Sequence, residues 1–171
     1  MPEVHVSIGS NVDRENNVRE ALRLMAEHFG ALNTSRVYET ESVGFSGPNF
    51  YNLVVGFETD RSLAEVDGIL SGIEDRRGRR RGGAGVDDRT LDLDVLLYGG
   101  MVNHEPPWDI PRADILEYAF VLCPLAEIAG NLTHPENGRT YAELWAAFGD
   151  DSQKLWPVAW DVPASRATSQ A

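Results

Sequence analysis

The sequence predicts an α+β fold: a ferredoxin-like βαββαβ core with extra C-terminal helices, forming a three-layer α/β/α sandwich. The first hundred residues alternate strand and helix patterns in the order β-α-β-β-α-β, which is the split βαβ arrangement. Residues 101–148 hold further helical segments, near 119–129 and 140–148, which we expect to cover the other face of the sheet. Because neither an internal repeat nor a linker interrupts the chain, we predict one domain over residues 1–160 and a frayed tail over 161–171.

The first half of the core is predicted from two strands and a helix. Residues 4–8 alternate β-branched and polar side chains, which indicates a strand. Apolar residues recur at helical spacing over about 14–29, and Gly30 ends that helix. A second strand is predicted over 33–40, and the Gly, Ser and Pro content of 41–49 indicates a loop.

The second half of the core repeats the alternation. Residues 50–59 carry the strongest strand pattern in the chain. Ser62 is placed as an N-cap with Glu65 three residues later, so a capping box is predicted at the start of the second helix. The apolar face of this helix is expected to consist of Leu63, Val66, Ile69, Leu70 and Ile73. Residues 92–98 resemble a buried strand.

Composition favours a soluble enzyme or binding domain. Of the 171 residues, 42% are hydrophobic and 25% charged, with a formal net charge of −12 and a pI near 4.6. The negative charge disfavours general binding to nucleic acid or to anionic membranes. A single cysteine, Cys123, excludes an intrachain disulfide. With no signal-peptide pattern and no apolar run of membrane-spanning length, we expect a cytoplasmic protein.

Positive charge is concentrated in one segment. Fourteen of the fifteen basic residues are arginine, and residues 76–89 hold six of them with two acids, a net charge of +4 against −16 for the rest. Arginine binds phosphate oxygens through two parallel donors, and the glycines of the segment favour a mobile loop. We expect the loop to close over a polyphosphate. One alternative is a solvated basic loop without a ligand. RNA binding is the other, although the predicted strands lack the aromatic pairs that stack bases.

A pair of carboxylates follows this segment. Asp92 and Asp94 flank Leu93 in a predicted strand, so both project from one face while Leu93 enters the core. Two adjacent carboxylates repel each other unless a cation lies between them, and Mg²⁺ binds through such groups together with substrate phosphates. The pair therefore predicts a metal–nucleotide site; the alternative is two solvated acids at a strand end.

Three further residues suggest a flat ligand. Asn52 lies between bulky neighbours in the strand over 50–59, and a buried amide must be hydrogen-bonded. Its role is therefore either structural or the recognition of a heterocycle edge. Phe50 and Phe120 either supply flat faces for that ligand or belong to the core.

Taken together, the motifs resemble the 6-hydroxymethyl-7,8-dihydropterin pyrophosphokinase family of folate biosynthesis. The matching segments, in order, are residues 8–11 (IGSN), 38–40 (YET), 49–52 (NFYN), 73–74 (IE), 78–79 (GR), 89–94 (RTLDLD), Pro111, 120–122 (FVL) and 124–125 (PL). The RTLDLD run after an Arg-rich loop is the most specific of them, and the resemblance covers about residues 4–148.

The resemblance implies transfer of pyrophosphate from ATP to the 6-hydroxymethyl oxygen of the reduced pterin, with release of AMP. Asp92 and Asp94 would hold two Mg²⁺ ions. The implied catalytic residues are Arg79, Arg81, Arg89, Asp92 and Asp94. The implied ATP-binding residues are Glu74, Arg79, Arg81, Arg89, Val95 and Arg112. The implied pterin-binding residues are Gly9, Thr40, Ser42, Val43, Phe50, Asn52, Asp92 and Phe120. We expect a monomer whose partners are these substrates, without nucleic acid or membrane.

The chain also departs from better-known family members. It carries Arg112 and Ala113 where His and an aromatic residue are common, Tyr118 in place of Arg, Val86 in place of Trp, and Pro107 in place of a basic residue. Because both aspartates and Arg89 are kept, we expect activity to survive. The alternative is a divergent paralogue that binds pterin or nucleotide with weak or altered catalysis.

Overall fold

The computed structural model describes residues 1–41, 47–77 and 91–159. Its helices and strands, in chain order, are β1 (Glu3–Ser10), α1 (Arg14–Phe29), β2 (Asn33–Thr34), β3 (Tyr38–Thr40), β4 (Phe50–Glu58), α2 (Leu63–Arg76), β5 (Asp92–Tyr98), α3 (Asp114–Glu117), α4 (Ala119–Ala129), α5 (Tyr141–Ala146) and β6 (Leu155–Pro157). The predicted mixture of helices and strands is confirmed. None of the described helices has the length and apolar character needed to cross a membrane.

The described strands form one antiparallel sheet. Its order is β5-β1-β4-β3-β6, and β2 pairs with β4 beside this path. Strand β1, which lies between β5 and β4, places Gly9 between Asn52 of β4 and Asp92 of β5. On the other side of β4, Thr40 lies opposite Phe50. The register therefore brings residues from four strands to one end of the sheet.

Two buried apolar clusters lie against this sheet. Leu53 and Val55 of β4 belong to the first cluster, together with the apolar faces of α1 and α2. Val54 belongs to the second cluster, together with residues of α3, α4 and α5. Because successive side chains of a strand point to opposite faces, the two clusters lie on opposite faces of β4.

The capping box that begins α2 is confirmed. The Ser62 Oγ accepts a hydrogen bond from the Glu65 backbone N–H at 3.1 Å, and the Glu65 carboxylate accepts one from the Ser62 N–H at 2.8 Å. Both contacts satisfy N–H groups that the first helical turn leaves without intrahelical partners. This local pair sets where the helix begins, and the helix ends at Arg76, the first residue of the Arg-rich segment.

The prediction of one strand over 33–40 is wrong in one respect, because β2 and β3 are separate strands. Between them, the Ser35 N–H donates to the Val54 carbonyl at 2.9 Å, and the Ser35 Oγ accepts from the Val54 N–H at 3.0 Å. The hydroxyl takes the place of a backbone carbonyl, so the strand ladder is interrupted. Strand β6, which pairs with β3, was not predicted either.

Candidate active site

A cavity of about 300 Å³ opens at the end of the sheet where β1, β3, β4 and β5 meet. Its lining consists of Ser7, Ile8, Gly9, Thr40, Glu41, Phe50, Asn52, Asp92, Asp94, Arg112, Asp114, Phe120 and Val121. Eight of these residues were predicted as site residues: Gly9, Thr40, Phe50, Asn52, Asp92, Asp94, Arg112 and Phe120. A pocket of this size suits a small molecule.

The end of β1 allows an amide to approach closely. Asn52 is 7% exposed, and its Nδ2 donates to the Thr40 hydroxyl at 2.8 Å. A Cβ placed on Gly9 would lie 3.0 Å from the Asn52 Oδ1 and 4.0 Å from a ring carbon of Phe50. Glycine is therefore needed at position 9 for the backbone to pass this amide, and Thr40 fixes the orientation of the amide.

Two aromatic side chains line the same cavity. Phe50 and Phe120 are both half-buried, so neither is a fully buried core residue. The ring of Tyr118 stacks on that of Phe120, with centroids 5.1 Å apart and an angle of 23° between the planes. Stacked rings at this spacing attract each other and restrict each other's rotation. Tyr118 thus limits the orientations of Phe120, a contact that the sequence did not predict.

The two carboxylates of β5 occupy the adjacent part of the cavity. Asp92 pairs with Gly9 of β1 and Asp94 with Ser7, while Leu93 between them is buried in the first cluster. The Leu93 N–H donates to the Glu74 carboxylate of α2 at 2.7 Å. Glu74 is 5% exposed, so a buried charge-assisted hydrogen bond ties α2 to the backbone between the two aspartates.

The positively charged side chain of Arg112 lies beside this pair of carboxylates. The Arg112 Nη2 is 3.8 Å from the Asp94 Oδ1, and its Nε donates to the Asp114 carboxylate at 3.3 Å. The Arg112 backbone N–H donates to the Leu96 carbonyl at 3.0 Å, which anchors this residue next to β5. Partial burial acts to lower the pKa of Arg112, but the nearby carboxylates of Asp94 and Asp114 raise it overall, so the guanidinium stays charged.

The donor set can be compared with what metal ions require. No group of three or more His, Cys, Asp or Glu side chains suited to a metal ion occurs within residues 1–41, 47–77 and 91–159. Asp92 and Asp94 supply two carboxylates, and Mg²⁺ is commonly bound by one or two carboxylates together with water and substrate phosphates. The pair therefore fits a magnesium ion that arrives with a nucleotide better than a permanently enclosed ion.

The remaining predicted site residues lie elsewhere. Glu74 and Val95 are buried outside the cavity lining, Val95 within the first apolar cluster. The predicted residues Arg79, Arg81, Arg89, Ser42 and Val43 lie outside the described residues.

Sequence reasoning missed three polar residues of the lining: Ser7, Glu41 and Asp114. Ser7 could have been found, because it precedes Gly9 by two residues on the same strand and therefore shares its face. Glu41 directly follows a predicted strand that reaches the site. For Asp114 the sequence offers no comparable signal.

Comparison with known proteins identifies the family to which this chain is related. The family model of HPPK, 7,8-dihydro-6-hydroxymethylpterin-pyrophosphokinase, matches residues 5–130. A 2-amino-4-hydroxy-6-hydroxymethyldihydropteridine pyrophosphokinase of Porphyromonas gingivalis is 34% identical over 142 residues, covering 80% of this chain and 96% of that protein. A folate synthesis bifunctional protein of Arabidopsis thaliana is 38% identical over 131 residues, covering 75% of this chain. The match spans only 27% of that plant protein.

A solved structure supports the fold. Wild-type HPPK-DHPS of Plasmodium falciparum matches with a TM-score of 0.65 at 14% identity, covering 86% of this chain and 44% of that one. The family resemblance predicted from the motifs is confirmed by the family model and by the bacterial relative. The chain belongs to the 7,8-dihydro-6-hydroxymethylpterin-pyrophosphokinase family.

Proposed function

We propose that this chain transfers pyrophosphate from ATP to the 6-hydroxymethyl oxygen of 6-hydroxymethyl-7,8-dihydropterin in folate biosynthesis. Family membership and the name of the bacterial relative support an ATP-dependent diphosphotransferase. The observation that carries the proposal is the cavity, where an oriented amide and two aromatic rings lie next to a carboxylate pair. Family membership also favours the enzyme over the RNA-binding alternative.

The reaction requires an in-line displacement at the β-phosphorus of ATP. The pterin hydroxyl oxygen forms a bond to that phosphorus, and the bond to the oxygen shared with the α-phosphorus breaks. AMP leaves with the electron pair, and the hydroxyl proton is released. Catalysis of such a step depends mainly on positioning and on neutralising charge, which a site built from fixed strand residues can provide.

The pterin would bind against Asn52 and between the two phenylalanine rings. An amide whose Nδ2 is already directed to Thr40 presents a fixed donor and acceptor pattern to the edge of a heterocycle. Phe50 and Phe120 would supply flat apolar faces, and Gly9 leaves room for close approach. Backbone groups of Ser42 and Val43 remain predicted contacts.

Asp92 and Asp94 would hold two Mg²⁺ ions with the ATP phosphates. When bound, the metal supplies charge neutralisation and alignment of the phosphates. Glu74 would support this arrangement by fixing the backbone of β5 between the two carboxylates. Arg112 would contact phosphate or ribose. The roles of Arg79, Arg81 and Arg89 in clamping phosphates, and that of Val95 in ATP binding, remain predictions from the family resemblance.

The finer form of the fold is also part of this proposal. The two apolar clusters on opposite faces of β4 support the predicted ferredoxin-like core with helices on both sides of the sheet. A monomeric state and a cytoplasmic location remain predictions.

An AMP-release assay tests the function. With Mg²⁺–ATP present, AMP should form only when the hydroxymethyl pterin is added, in equal amount to the pterin diphosphate. Asp94→Asn should lower the rate by about 100-fold, because it removes one of two carboxylates from the metal site. Asp67→Asn, the same change on the exposed face of α2, is the matched control and should leave the rate unchanged.

Two outcomes would contradict the proposal. The first is AMP release that does not depend on the pterin, and the second is an Asp94→Asn variant as active as the control. Tight pterin and nucleotide binding without turnover would instead support the divergent paralogue.

A further inference from the structure

A single arginine contacts both a predicted metal-binding carboxylate and a second acid in the cavity. Arg112, Asp94 and Asp114 all line the cavity, and their side chains are 34%, 40% and 35% exposed. Neither Asp114 nor the pairing of Arg112 with Asp94 was predicted. Because the three side chains are accessible to solvent, the ion pairs are weak enough to rearrange.

We propose that Arg112 is an exchangeable counter-ion: it pairs with Asp94 before metal and nucleotide bind and moves to the phosphates when they bind, while Asp114 positions it. This inference rests on the proposed function, because it takes the nucleotide and its metal as the ligands. It adds a specific competition between an arginine and a divalent cation for the same carboxylate oxygen.

The two contacts of Arg112 differ in strength. Its Nε donates to Asp114 at 3.3 Å, whereas its Nη2 is 3.8 Å from Asp94, beyond hydrogen-bond distance. The backbone of Arg112 is held independently by its hydrogen bond to the Leu96 carbonyl. The guanidinium can therefore leave Asp94 without losing Asp114 or its place beside β5.

The exchange also has a clear electrostatic basis. With no ligand bound, the guanidinium lowers the repulsion between the carboxylates of the cavity. A divalent cation bound at Asp94 would repel that guanidinium. The nucleotide phosphates would then attract the guanidinium, whose paired N–H donors suit phosphate oxygens. Arg112 should therefore oppose the binding of a metal ion alone and favour the binding of metal together with nucleotide.

Binding measurements with Mn²⁺ as the probe test this pattern. Electron paramagnetic resonance would report free and bound Mn²⁺, and calorimetry would report binding of a nonhydrolysable ATP analogue with Mg²⁺. Arg112→Gln should bind Mn²⁺ alone about tenfold more tightly, as expected for removing one positive charge beside a divalent ion in a solvated site. The same variant should bind the Mg²⁺–analogue complex about tenfold more weakly, through loss of a charged hydrogen-bond donor.

Matched variants separate this effect from general ones. Arg139→Gln removes the same charge from an exposed loop and should change neither affinity. Arg112→Lys keeps the charge, so its affinity for Mn²⁺ alone should return towards that of the natural protein. Asp114→Asn should weaken analogue binding, and much less so when Arg112 is already Gln, because a positioning residue acts only through the group it positions.

Each result has a defined meaning. If Arg112→Gln binds Mn²⁺ alone no more tightly than Arg139→Gln does, the counter-ion role is wrong. If Asp94→Asn leaves Mn²⁺ binding unchanged, the proposed metal site itself is wrong, and the inference fails with it. Circular dichroism of each variant would establish that it is folded before affinities are compared.

Discussion

Substitution of Gly9 by alanine should damage the proposed pterin-binding part of the cavity while leaving the fold intact. The new Cβ would lie 3.0 Å from the Asn52 Oδ1, where ordinary van der Waals contact begins at 3.4 Å. Asn52 must therefore shift by a few tenths of an ångström. Its Nδ2 is held by a 2.8 Å hydrogen bond to Thr40, so the shift strains a buried hydrogen bond.

The size of the effect follows from that bond. A typical intramolecular hydrogen bond contributes about 1 kcal/mol to the net stability of a protein. If the Asn52 amide is displaced, it also loses its hydrogen-bonding geometry towards a ligand. We expect the free energy of unfolding to fall by about 1 kcal/mol. The pterin dissociation constant should rise by about tenfold, which corresponds to about 1.4 kcal/mol.

Titration calorimetry with the pterin and urea unfolding measure these two quantities. Gly68→Ala is the matched control: it makes the same change on the exposed side of α2, where a Cβ would have nothing within 4 Å. Alanine favours a helix over glycine by about 1 kcal/mol, so this variant should be more stable and bind pterin normally. Normal pterin affinity in Gly9→Ala would show that the Asn52 amide does not take part in recognition.

Two further predictions concern neighbouring side chains. Tyr118→Ala should weaken pterin binding by about fivefold, because it removes a ring stack worth about 1 kcal/mol and leaves Phe120 free to rotate. Tyr118→Phe keeps the stacked ring and should bind pterin normally. If both variants bind pterin equally weakly, the stack is not the cause. Burial lowers the pKa of His5 to about 4. As the pH falls from 6.5 to 4, His5 therefore becomes protonated in the unfolded chain but not in the folded one. The free energy of unfolding should fall by about 3 kcal/mol over this range. His5→Gln should make the free energy of unfolding, measured with urea, depend less on pH. If His28→Gln, at an exposed position, reduces the pH dependence equally, then His5 is not its source.

The features predicted correctly depend on neighbours in sequence, and the others depend on distant contacts. The start of α2 follows from Ser62 and Glu65, three residues apart, so a local pattern was sufficient. The break between β2 and β3 arises because Ser35 bonds to Val54 of another strand, which no pattern around Ser35 indicates. Asp114 likewise lines the cavity because the fold brings α3 beside β5, and no local sequence pattern indicates this. Strand alternation placed Asp92 and Asp94 on one face, and the family resemblance supplied Gly9 and Thr40, whereas Asp114 had to come from the structure.

The position of the cavity follows from how the side chains change along two paired strands, β1 and β5. On the face of the second cluster, β1 presents His5, then Ser7, then Gly9. The strand positions beside them on β5 change from an apolar side chain at Leu97 to a carboxylate at Asp94. Toward the open end of the sheet the side chains of β1 therefore become smaller and those of β5 become charged. The second apolar cluster cannot continue across such a surface, so the space above it remains an open cavity with polar groups in its lining.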